Sequence, residues 1–567
     1  MRRAWFLSAI AAAVLLPPGS HARAAAEPAW VHLHSPDFEV FSSASPAATR
    51  ETLRHFEFVR GFFEQALGPP PAGRQPVYLV VFGSMQEYAR YRPMEWAAAS
   101  YHQARERDIV VVGDPSEDSF PTAVHEYFHL WAHRQNLRLP LWLNEGLAQL
   151  YSTLRPTLGG QVAGEVPAGF ARQVARYGWI PLRSVVSASQ YPRTGNDPEV
   201  TGFYLESWAL AHMVELSPDY RGRAPRLLPA IQAGMSSEDA LTKIYGKPLS
   251  EIEADLQAYL QVIEGRSETY RVKLPKPPKP EAIEPAPEFD RRLILIQLVA
   301  SRNPAGEVRK ELEALAALDP KRPEPHAELG VLAASRGDAA TARAEYRNAF
   351  DLGGLGAGLL WDYARMLIDN PPEAIPVLDR LLRLDPGRTP ARLELARMQL
   401  AARQAAAAIG TLAVIHDPAP PDAAAYFQLM ARAALAAGRR PEAAAAARDW
   451  QRTARDEEEL SEAARFLAAL DGSPASPPPP RVSIEGRLTA VDCQDGGMTL
   501  AVETASGSRS FVLHDSGRAV LSAQGGGLAI LACGEQPRPL AVRIEYARPL
   551  AANAGVDGVV KRIEFGR

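Results

Sequence analysis

HEYFH, residues 125–129, sits inside the run FPTAVHEYFHLWAHRQN (120–136), and the reading of that run decides the fold of the first half of the chain. Ser119 and Pro121 are helix entry signals, and no later glycine or proline interrupts the segment. On a helix, Val124, Phe128 and Trp131 form one apolar stripe that should face a core. His125 and His129, one turn apart, then project side by side on another face. Two neutral imidazoles at that spacing can reach one zinc ion, and Glu126, about 100° round the helix, can sit beside a water there. His133 could pair with His129 instead. Leu130 stands where that pair would need its glutamate, and His133 lies about 12 Å along the axis from His125, so it is read as a flanking residue.

A third ligand is available downstream. LPLWLNEGLAQLY (139–151) has helical spacing, with Glu145 on a face less apolar than the one carrying Leu143, Leu147, Leu150 and Tyr151. The short connection RQNLRLP lets this helix fold back on the first. Two histidines, a carboxylate and a water fill the four positions of a catalytic zinc site with one place open.

HEYFH followed by WLNEGLA resembles the gluzincin metallopeptidases, especially the zinc aminopeptidase branch and the related peptidase MA-like proteins of bacterial secretomes. The resemblance implies an α+β zincin-like domain holding one Zn2+ through His125, His129 and Glu145. It also implies peptide-bond hydrolysis by a zinc-activated water with Glu126 as general base. It spans roughly residues 27–265 and includes the closing segment IYGKPLSEIEADLQAYL. The GxMEN motif with which the aminopeptidases grip a substrate amine is absent. Those families also carry a tyrosine beyond the third ligand that hydrogen-bonds the developing oxyanion. TGFYLESWALAHMVEL (201–216) offers Tyr204 for that role, or alternatively as one more residue of an amphipathic helix.

Outward from this block, the chain divides at proline-rich stretches. Its 567 residues exceed what one core accommodates. MRRAWFLSAIAAAVLLPPGSHARAAAEPAW opens with Arg2 and Arg3, an apolar run from Ala4 to Leu16 and then small residues, the layout of a cleaved export signal over 1–26. That layout places the mature chain in the periplasm or outside the cell, with no membrane span after cleavage. The first domain is set at 27–266, where WVHLHSPDFEVFSS, VYLVVFGS and RDIVVVGD read as strands. Proline-rich linkers follow at 273–287 and 471–480.

Between the linkers, 288–470 is rich in alanine, leucine and arginine, and it repeats. Leu329, Gly330, Ala342, Tyr346 and Ala349 occupy the packing positions of a tetratricopeptide repeat. Tyr363, Ala364, Ala374, Leu378, Leu381 and Pro386 form a second copy, and weaker copies begin near Leu395 and Met430. The last block, 481–567, changes to short alternating runs between glycine-rich turns, the pattern of a small all-β barrel or sandwich. Its Cys493 and Cys533 can pair in an oxidising compartment, closing a loop worth on the order of 4 kcal/mol, or remain two buried thiols.

A net charge of −4 and a pI near 6.4 offer no basic surface for nucleic acid. Two functional readings follow. In the first, an exported zinc metallopeptidase takes a peptide or protein substrate and its repeats hold that substrate or a protein partner. In the second, a non-catalytic repeat-based scaffold binds protein and carries a peptidase-like domain.

Overall fold

The computed structural model describes residues 29–566, apart from 70–74, 96, 104–106, 117–118, 138, 167–168, 189–197, 234, 264, 275, 277–278, 280–281, 475, 495–496, 515–519, 524–533 and 551–555. The export signal expected at 1–26 and the pairing considered for Cys493 and Cys533 lie outside the described residues.

The chain begins with a mixed sheet. A hairpin of β1 (Val31–His34) and β2 (Phe38–Ser42) leads into α1 (Pro46–Ala66), then β3 (Val77–Val81), a single turn α2 (Met85–Tyr88), β4 (Ala99–Gln103) and β5 (Asp108–Val112). Ser45 caps α1 by accepting from Ala48 N at 3.2 Å, and Pro46 opens its first turn. The strand order is β4-β5-β3-β2-β1, with β2, β3 and β5 parallel and both outer pairings antiparallel. Both faces are apolar. Val77, Leu79 and Val81 of β3, with Val110 and Val112 of β5, point into the core under α1, whereas Val80, Ile109 and Val111 point to the other side. A sheet with two apolar faces needs cover on both.

The front cover is helical: α3 (Phe120–Arg134), α4 (Leu141–Ser152), the hairpin β6 (Arg155–Thr157) and β7 (Gly160–Ala163), then α5 (Phe170–Tyr177), α6 (Leu182–Ser187), α7 (Pro198–Leu216), α8 (Leu227–Gln232), α9 (Ser237–Tyr245) and α10 (Leu249–Leu260). Ser119 precedes α3 as expected, but its hydroxyl donates to Asp114 Oδ1 at 3.1 Å instead of capping the helix.

The first unit does not close at 266. Beyond it, β8 (Glu268–Tyr270) pairs with β7, and β9 (Glu284–Pro285), within the stretch expected to be a linker, adds an edge strand to β1. Proline is tolerated there because an edge strand has one side free of ladder bonds. The back of the sheet is then covered by α11 (Glu288–Val299), whose Ile294 and Leu298, each 1% exposed, lie against Trp30, Phe41, Val80, Phe82, Ile109 and Val111.

The same helix starts the repeats. Its Phe289 and Leu293 pack with Val308, Leu312 and Leu315 of α12 (Ala305–Leu318). Antiparallel pairs follow: α13 (Glu324–Ser335) with α14 (Ala339–Asp351), α15 (Ala357–Arg365) with α16 (Pro371–Leu384), α17 (Thr389–Ala401) with α18 (Ala405–Leu412), and α19 (Pro420–Ala436) with α20 (Arg440–Thr453), ending on α21 (Glu457–Asp471). Small residues permit the close pairing. A Cβ on Gly330 would lie 2.5 Å from the Tyr346 ring, so that site admits only glycine if α13 and α14 are to touch. Each pair leaves an apolar face that the next pair covers, which makes the block a helical solenoid.

The C-terminal block is a barrel. Its strands are β10 (Val482–Gln494), β11 (Gly497–Thr504), β12 (Gly507–Leu513), β13 (Val520–Ala523), β14 (Gly534–Ala547) and β15 (Gly558–Phe565). β10 lies between β11 and β14, and the parallel contact of β12 with β15 closes the circle, the Greek-key connectivity of an OB-type barrel. A register break between Leu488 and Ala490 lets the long β10 bend into both halves. The barrel is fastened to the solenoid beyond the expected 471–480 linker. The fully buried Asp456 caps α21 through Glu458 N and Glu459 N, each at 3.0 Å, and takes Lys561 Nζ of β15 at 2.8 Å.

Candidate metal centre

α3 and α4 pack antiparallel, and their facing sides bring three of the sequence candidates together. His125 Nε2 lies 3.1 Å from His129 Nε2 and 3.2 Å from Glu145 Oε2, and His129 Nε2 lies 3.6 Å from Glu145 Oε1. All the potential ligand atoms fall within 4.8 Å of one another. Burial drives the His129 imidazole toward its neutral form, with His125 adding to the effect, so its Nε2 presents a lone pair. Two electron-rich nitrogens and a carboxylate that is 3% exposed repel one another unless a cation or shared protons sit between them. Two imidazoles and one carboxylate are the donor set of a catalytic zinc site.

The ring of His129 is oriented from behind. Its Nδ1–H donates to Asn144 Oδ1 at 3.2 Å, which leaves Nε2 for the cluster. His125 Nδ1 is buried with no partner among the described residues. Glu126 does not join the three. It is half-buried beside them, and its Oε2 accepts from the backbone N–H of Tyr101 on β4 at 2.8 Å. Burial pushes its carboxyl up to about 7, against the opposing pull of His129 and the Tyr101 N–H.

These groups line a cavity of about 880 Å³ whose walls come from α3, α4, the segment Ala97–Tyr101 and the start of α7. Tyr204 of α7 lines it too, half-buried, with its phenol held protonated by burial and by the negative charges of Glu145 and Glu126. His133 reaches the cavity from the far end of α3 but is exposed and stands apart from the three-residue cluster. His212, one face of α7 away, is fully buried between Tyr259 Oη and Gly164 O, each at 2.9 Å, and is a packing residue.

The glycine after Glu145 has a packing reason. A Cβ at Gly146 would lie 2.4 Å from Ser207 O and 2.7 Å from Ala211 Cβ, so α4 and α7 cross in direct contact and Tyr204 is carried to the cavity. Gly146→Ala forces that crossing apart and should destabilise the domain by about 1–3 kcal/mol. Denaturant unfolding measures it, and an unchanged midpoint would contradict the close crossing.

Two groups at this site were missed from sequence. Asn144 carried a signal, because it immediately precedes Glu145 and a histidine ligand needs an acceptor for its other nitrogen. The Tyr101 N–H carried none, since a backbone donor has no side-chain signature.

Among the described residues, no helix is long and apolar enough to cross a membrane. Comparison with known proteins recognises one part of the solenoid. No curated protein matches the chain. Among solved structures, YrrB, described as a TPR protein with an unusual peptide-binding site, is 16% identical over 30% of this chain and 92% of its own, with a TM-score of 0.25. PilW, a widely conserved type IV pilus biogenesis factor, is 19% identical over 33% and 88%, with a TM-score of 0.23. MamA from Desulfovibrio magneticus RS-1 is 18% identical over 29% and 92%, with a TM-score of 0.23. Residues 369–433, from the turn before α16 into α19, match the tetratricopeptide repeat family.

Proposed function

We propose that this chain is an exported zinc metallopeptidase of the gluzincin type, and that its repeat array binds the protein or peptide on which it acts. The observation that carries the proposal is the convergence of His125, His129 and Glu145 at one end of a cavity that also holds Glu126 and Tyr204. His125, His129 and Glu145 would hold one zinc ion per chain. When bound, zinc supplies a Lewis acid that polarises a carbonyl and acidifies water. Glu126, outside the ligand set, accepts the proton from water and delivers it to the departing amine. Its carboxyl, raised toward neutrality, suits both halves of that exchange. The Tyr204 phenol donates to the oxygen on which charge develops. Export rests on the basic and apolar layout of residues 1–26.

The test is chelation of the full chain against a mixture of unfolded proteins. Hydrolysis should disappear with a zinc chelator and return on adding zinc alone. A wild-type chain that holds zinc and cleaves nothing counts against the hydrolase.

The family match over 369–433 favours a second reading, in which the repeats bind protein and the first domain is a non-catalytic scaffold. There Glu126→Gln leaves the biological phenotype intact, and loss of the repeats abolishes it. Such a deletion must spare α11, because removing it strips the back of the sheet.

A further inference from the structure

One wall of the cavity is held in place from the solenoid. Pro93, Met94, Ala97 and Ala98 line the cavity, and β4 continues from them to Tyr101, whose N–H binds Glu126. Just before this segment, the carbonyls of Tyr91 and Arg92 both accept from the guanidinium of Arg302, the Tyr91 bond at 2.6 Å. Arg302 also donates to Leu298 O at 2.7 Å, so one cation ties the C-terminal end of α11 to the loop. Other contacts hold the described residues of the loop near its two ends, where Tyr91 N and Arg92 N donate to Tyr88 O and Ala97 N donates to Met94 O. The Tyr91 ring stacks on Phe82 at 5.0 Å, and Ala98 O accepts from Gly113 N at 2.9 Å. α11 is itself clamped on both sides, by the sheet through Ile294 and Leu298 and by the repeats through Phe289 and Leu293.

We propose that Arg302 is a positioning residue for the substrate wall, and that the solenoid is thereby a structural part of the cavity, not a module joined by a flexible tether. Its catalytic consequence rests on the peptidase reading, whereas its structural consequence does not. Without the guanidinium, the carbonyls of Tyr91 and Arg92 lose the donors that Arg302 supplies, and the wall residues Pro93 and Met94 that follow are held less firmly beside the metal ligands. Among the described residues, the hydrogen bonds of Arg302 go to Tyr91, Arg92 and Leu298 and none to α3 or α4, so the helices that hold those ligands should keep their geometry.

The experiment uses the full chain as wild type, Arg302→Ala and Arg302→Lys. Amide hydrogen exchange over 89–103 should become about tenfold faster in Arg302→Ala, while α3, α4, β3 and β5 exchange as in wild type. Arg302→Lys, which keeps a cation and donors, should fall between the two. Zinc uptake should be the same in all three. With a cleavable peptide, KM should rise about fivefold in Arg302→Ala with kcat nearly unchanged. Unchanged exchange over 91–98 overturns the proposal. So does faster exchange throughout the sheet, which would make Arg302 a general stabiliser. If the wild type cleaves no peptide, exchange alone decides the proposal, and that failure falls on the peptidase reading instead.

Discussion

Glu126→Gln should lower peptide hydrolysis by about 10²–10⁴-fold, the usual worth of a positioned general base, while the zinc content stays at the wild-type level. The two halves of this result come from different features of the site. Zinc is retained because the cluster of close contacts consists of His125, His129 and Glu145, and Glu126 belongs to none of those pairs. The side chain stays in place because a glutamine oxygen still accepts from the Tyr101 N–H that holds Glu126 Oε2. What is lost is only the capacity to take and return a proton. Equal turnover in the variant would exclude Glu126 as the base, and loss of zinc would make it part of the ligand set.

Glu145→Ala should do the opposite and weaken zinc binding by at least about 100-fold, more than the 10–100-fold typical of residues that merely support a ligand. The carboxylate is 3% exposed, and within 3.6 Å it faces both imidazole Nε2 atoms. Removing it takes away one of three donors and the only anion in the set. Competition with a chromophoric chelator measures the affinity directly. The fold should survive, since alanine at this point of α4 removes a polar group that packing does not require. Retained affinity would place the ion elsewhere.

What could be read from the residues follows from periodicity. The helices α3 and α4 were legible because their apolar stripes repeat every turn and leave His125, His129 and Glu145 on a separate face. The solenoid was legible because Gly330, Ala342 and Tyr346 are followed 34, 32 and 32 residues later by Ala364, Ala374 and Leu378, small and large packing residues in the same order. Two strands of the mixed sheet were not legible. β4, with Ser100, His102 and Gln103, is a short edge strand whose composition lacks the branched residues of β3 and β5. β9 is two residues, Glu284 and Pro285, in a stretch that composition marks as a spacer. Both lie at the ends of the sheet, where pairing is set by neighbours far off in sequence. The double duty of α11 was hidden for a related reason. Phe289, Leu293, Ile294 and Leu298 surround much of the helix, and apolar residues on two sides do not say which partner covers each. Periodicity placed Tyr204 on a helix and only the resemblance placed it at the site, because its position depends on the α4–α7 crossing that Gly146 permits.

The most direct measurement is the metal content and local coordination of the purified wild-type chain after equilibration with limiting zinc and desalting. One zinc per chain, with nitrogen and oxygen neighbours at about 2.0–2.1 Å by X-ray absorption, is what the His125–His129–Glu145 cluster predicts. A folded chain that retains no zinc, or that holds it through sulfur, would contradict the assignment.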